Sequence, residues 1–66
     1  MKYDKKKIVK ELTNVGAKLE RHEIAQIAAI EQVSTVTVKT YIEGKVTVLA
    51  LGASILADAK DIIKSR

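Results

Sequence analysis

Apolar positions recur every three to four residues along most of the chain, the spacing of one face of a helix. Ile8, Leu12 and Val15 form a first stripe, with Lys5, Lys6, Lys7 and Lys10 largely outside it. Asp4 stands where a capping residue belongs, and Gly16 ends or breaks the helix. A second stripe runs through Ile24, Ile27, Ala28 and Ile30–Glu31, where Ala25, Ala28 and Ala29 allow close approach to a neighbouring helix. Val38, Tyr41 and Ile42 fall at i, i+3 and i+4 between Ser34, a capping residue, and Gly44, a left-handed stop. Thr35, Val36, Lys39, Thr40 and Glu43 then point away from the core. A last stripe contains Leu51, Ile55, Ala59 and Ile62–Ile63. Thr47 is its expected cap, and Gly52 lets its start slip to Ala53 or Ser54. The expectation is an all-α fold, a small bundle of about four helices in one domain spanning 1–66.

A rival pattern overlaps the third helix. Residues 35–51 are rich in Val and Thr and alternate on both sides of Glu43-Gly44, a possible two-residue hairpin loop. Pairing across that loop sets Ile42 opposite Lys45 and Lys39 opposite Val48, so no clean apolar face results. In that alternative the fold is α+β, with a β-hairpin at 35–51.

The stretch from Ile27 to Lys45 resembles the helix-turn-helix unit of DNA-binding headpieces of the lac-repressor and phage-repressor type. Ile27-Ala28, Val33-Ser34 and Thr37-Val38 sit at the spacing of that family's motif, and Gly44 falls where its recognition helix ends. Two residues depart from it. Glu31 stands where a small residue packs between the helices, and Gln32 stands where the tight turn usually has Gly. Leu19 to Ala25 is similar to the start of helix two in phage repressors, but one turn early. Either that helix is a turn longer than usual or Ile27-Ala28 sets the register.

Composition narrows the function classes. Sixty-six residues make one small domain with a modest core. There is no Cys, hence no disulfide framework or thiolate metal site, and Tyr3 and Tyr41 are the only aromatics. His22, the single histidine, has no metal-ligand partners at suitable spacing and no nucleophile beside it. No nucleophile motif or glycine-rich phosphate loop is present, so neither an enzyme nor a cofactor is expected. No apolar run reaches membrane-spanning length and no signal peptide is apparent, which makes a cytoplasmic protein the expectation; the repressor resemblance implies a bacterial or phage origin.

The formal net charge is +4. Residues 1–22 hold seven basic and three acidic side chains, residues 23–44 one and three, and residues 45–66 four and two. A basic balance suits a polyanion, and it equally suits plain solubility. Lysines at 5–7 oppose the positive end of the first helix dipole, a mild cost consistent with a partner or with a solvated charge run.

The resemblance implies a small transcriptional regulator that places helix 35–43 in the major groove of double-stranded DNA. It puts base contacts at Thr35, Val36, Lys39 and Thr40. Ser34, Thr37 and Lys45 are placed for phosphates, with Lys5, Lys6 and Lys7 extending the footprint. Without Arg or Asn in that helix, bidentate base readout is poor, so sequence preference is expected to be weak unless two copies act on paired half-sites. A homodimer through Leu51, Ile55 and Ile62 of the last helix is one use for surplus apolar surface. The competing functions are a non-enzymatic protein-interaction module, a phage or virion structural protein, and a self-assembling helical protein.

Overall fold

A computed structural model describes residues 4–66, so Tyr3 lies outside the described residues. It contains four helices: α1 (Lys5–Gly16), α2 (Arg21–Glu31), α3 (Thr35–Ile42) and α4 (Leu49–Ser65). No strand occurs among the described residues, and residues 35–42 are helical, so the hairpin alternative is overturned. The all-α bundle is the fold.

Each helix buries one stripe. Ile8 and Leu12 of α1, Ile24, Ile27 and Ala28 of α2, Val38 and Tyr41 of α3, and Ile55, Leu56 and Ala59 of α4 meet in a single core, joined by Val46 from the α3–α4 loop. Leu12, Ile27, Val38 and Ile55 are completely enclosed. α4 packs on α1 and α2, and α3 packs on α2 and α1.

Several side chains sit where the pattern did not place them. Ile30 is 54% exposed, and Ala25 and Ala29 face solvent, so only Ala28 brings α2 close to a neighbour. Leu56 is core, whereas Leu49, Leu51 and Ile63 are half-buried. Ile55 is fully enclosed and cannot form a dimer face with Leu51 and Ile62, which are half-buried. The cap of α4 is Val48 and not Thr47, so the helix starts at Leu49, and Val48 makes no side-chain cap bond. Gly52 does not interrupt it. A Cβ at that position would lie 2.8 Å from Val46 Cγ1, so the missing side chain is what lets the loop close over α4.

The helix ends are closed locally. Asp4 accepts from the Lys7 amide at 3.3 Å at the start of α1. A capping box opens α2: Glu20 accepts from the amide of Glu23, and the Glu23 carboxylate accepts from the Glu20 amide at 2.8 Å. α2 therefore begins at Arg21, directly after the box residue Glu20. Glu23 also receives the Arg66 guanidinium, through Nε to Oε2 at 2.9 Å and a second nitrogen to Oε1. The same guanidinium donates to the Lys18 carbonyl at 2.6 Å. The Arg66 hydrogen bond, with the Glu20 amide second, holds the Glu23 carboxyl down at about 2. The far end of α4 is thereby tied to the α1–α2 turn.

Candidate nucleic-acid interface

The turn between α2 and α3 consists of Gln32, Val33 and Ser34. Gln32 takes the left-handed conformation (φ 57°, ψ 43°). Its amide donates to Ala29 O at 3.3 Å and the next amide, Val33, to Ala28 O at 3.0 Å, a Schellman closure. An L side chain in this conformation costs about 1 kcal/mol. The two closing bonds and the half-buried Val33 hold the strained residue in place.

Ser34 then opens α3. Its Oγ accepts from the Thr37 amide at 3.1 Å and pairs with Thr37 Oγ1 at 2.9 Å. When Thr37 donates in that pair, the Ser34 hydroxyl hydrogen is free for an outside acceptor. α3 closes on Gly44 (φ 104°), with Gly44 N donating to Tyr41 O at 3.0 Å and Lys45 N to Thr40 O at 3.1 Å. A Cβ on Gly44 would come 3.4 Å from Val9 Cγ1, so the end of α3 rests on α1.

These closures fix which side of α3 faces out. Val38 is fully enclosed and Tyr41 nearly so. Ser34, Thr35, Val36 and Lys39 are exposed, Val36 to 68%. Thr37 and Thr40 are half-buried, and the Thr40 hydroxyl already donates to Val36 O at 2.8 Å. Thr40 can still offer its methyl group and a lone pair, but its donor is used within the helix.

The basic residues divide into two groups. Lys45 is exposed immediately beyond α3. Lys5 and Lys6 are exposed and lie four and three residues before Val9, hence on the flank of α1 that meets the Gly44 turn. Lys7 does not join them. It lines a groove between α1 and α4 with Ile8, Glu11, Leu56 and Lys60, where Lys60 pairs with Glu11 at 2.8 Å. Of the expected contacts, Lys5, Lys6 and Lys45 flank the Gly44 turn, Ser34, Thr35, Val36 and Lys39 are exposed along α3, and Lys7 lies toward the α1–α4 groove.

The chain matches no known protein family, no curated protein and no solved structure. What α3 can do therefore rests on its chemistry alone. Its outer arc combines two exposed hydroxyls, one cation and one large apolar side chain.

Two features of the site were missed in the sequence. Tyr41 uses its hydroxyl to accept from the Val48 amide at 3.0 Å and to pair with Thr47 Oγ1 at 3.0 Å, which ties α3 to the start of α4. Glu31 ties α2 to α4: it accepts from Ser54 at 2.8 Å. A buried-face Tyr is a fair signal for the first, since a buried phenol needs a partner. Nothing local signals the second. No described helix is long and apolar enough to cross a membrane.

Proposed function

We propose that the protein binds double-stranded DNA and acts as a small transcriptional regulator, with α3 in the major groove and α2 crossing the backbone. One observation carries this reading: α3 is gripped on one side by the core through Val38 and Tyr41, while Thr35, Val36 and Lys39 stand free on the other. Threonine hydroxyls hydrogen-bond to base edges or phosphates, the methyls of Thr35 and Val36 suit a thymine methyl, and Lys39 reaches guanine or phosphate. Lys45, Lys5 and Lys6 extend the cationic surface along the phosphates.

Lys5, Lys6, Lys39 and Lys45 together neutralise about four phosphates, so affinity for random duplex DNA falls about 100-fold between 50 and 200 mM salt. Thr35→Ala combined with Lys39→Ala weakens binding about 10-fold or more with an unchanged far-UV circular dichroism spectrum. Unchanged binding by that double variant removes α3 from the interface. The competing reading is a protein-interaction module, favoured by the large apolar side chains exposed at Ile30, Val36 and Val48. Absence of duplex binding at 50 mM salt selects it.

A further inference from the structure

The only buried side-chain oxygen without a hydrogen-bond partner among the described residues is Asp58 Oδ2. Asp58 lies on α4 against the last turn of α2, where its carboxyl meets that of Glu31. Glu31 in turn accepts from Ser54, one turn before Asp58 on α4. Two ionised carboxylates placed so have no donor between them and repel one another. No cation relieves them. The two ion pairs among the described residues are Lys60–Glu11 and Arg66–Glu23. Arg66 does line the same open groove as Asp58, but its guanidinium is committed to Glu23 and Lys18. The remaining charged group facing Asp58 is another acid, Asp61, on its own helix.

We infer that Asp58 and Glu31 share one proton across the α2–α4 seam, and that releasing this proton to solvent loosens the end of α2 that carries the turn into α3. With the proton present, the Asp58 O–H donates to the Glu31 carboxylate, the orphaned oxygen is satisfied and the seam holds a single negative charge. With it gone, two negative charges face each other beside Gln32, the one non-glycine residue among the described residues held in left-handed backbone. The last turn of α2 and the Schellman bonds to Ala28 and Ala29 are the parts that can yield.

Burial first, then the Glu31 hydrogen bond and the charges of Glu31 and Asp61, push the Asp58 carboxyl up from 3.8 to about 6. A raised carboxyl stabilises the fold fully below its unfolded value, and that stabilisation is lost as pH climbs through the folded one. Glu31 shifts the opposite way, chiefly through the Asp58 hydrogen bond, so its share is lost only as pH falls below the ordinary carboxylate range. The seam is therefore tightest in mildly acidic solution.

The test has two parts, both on the full chain. Carboxyl carbon shifts followed by NMR from pH 3 to 8 place the Asp58 titration near 6, with Glu31 responding at the same midpoint. Thermal melting then shows a midpoint about 5 °C or more lower at pH 7.5 than at pH 5. Asp58→Asn, whose amide donates to Glu31 without a charge, removes that slope and melts higher than the parent at pH 7.5. Hydrogen-exchange protection of the Gln32 and Val33 amides falls as Asp58 ionises. An Asp58 titration near 4, a parental slope retained in Asp58→Asn, or protection unchanged through the transition overturns the inference. Should the variant not fold, the carboxyl titration and exchange of the parent protein decide. Duplex affinity following the same midpoint is a further consequence that rests on the DNA-binding reading; melting and exchange do not depend on it.

Discussion

Ile55→Ala is expected to leave the protein largely unfolded near 37 °C. Ile55 is fully enclosed at the centre of α4, in the same core as Leu12, Ile27 and Val38. Truncating a buried Ile to Ala removes its transfer free energy and leaves a cavity, about 2–5 kcal/mol together. A domain of this size has about 3–5 kcal/mol of total stability to lose. Thermal unfolding followed by circular dichroism checks it, with a midpoint lowered by roughly 15 °C or more. Ile55→Val, which removes one methylene, costs about 1 kcal/mol and keeps the fold. A surface role for Ile55, as in a dimer interface, predicts instead a nearly unchanged melting point and altered sedimentation.

Tyr41→Phe is expected to destabilise by about 1–2 kcal/mol, although it removes a single oxygen. The ring is buried on the inner face of α3, and its hydroxyl is the acceptor for the Val48 amide at the start of α4. Val48 has no capping side chain of its own, so the phenol does by a long-range bond what a cap residue does locally. Without it the amide and Thr47 Oγ1 turn to water, and the α3–α4 loop loses its tie to the core. The melting midpoint falls by about 5–10 °C. Thr47→Val leaves the Val48 bond in place and is expected to cost less. Equal melting of Tyr41→Phe and the parent shows that water replaces the phenol without loss.

The same Tyr41 marks the limit of what was legible in the chain. Ser34, Gly44 and Asp4 were readable as caps because each acts within four residues of itself. The inner face of α3 and its outward residues followed from helical spacing for the same reason. Thr47 was the natural cap for α4 by residue type, but the cap falls one residue later, at Val48, whose amide finds its acceptor in the Tyr41 hydroxyl seven positions back. The Glu20–Glu23 box lacks the Ser or Thr that usually announces it. Val46 sits in a loop and still enters the core because Gly52, on another element, leaves room. Arg66 to Glu23 and Ser54 to Glu31 join residues far apart in the chain, and no periodicity encodes such pairs.

At the candidate interface, the residue types around Ser34 pointed to a helix with a free outer arc, and Thr35, Val36 and Lys39 occupy it. The lysine cluster at 5–7 was legible only as a charge run. Neighbours in space divide it, Lys5 and Lys6 toward the Gly44 turn and Lys7 toward Glu11. Glu31 was legible only as a poor fit to the repressor pattern, and its hydrogen bond from Ser54 on α4 was not readable from the sequence around it.

The most direct measurement is an amide NMR titration of the labelled protein with a short random-sequence duplex at low salt. The account predicts that shifts and broadening concentrate on Ser34 to Lys39 and on Lys45, with smaller changes at Lys5 and Lys6 and none along the α1–α4 groove. Perturbations confined to that groove or to α4, or no change at millimolar duplex, would contradict it.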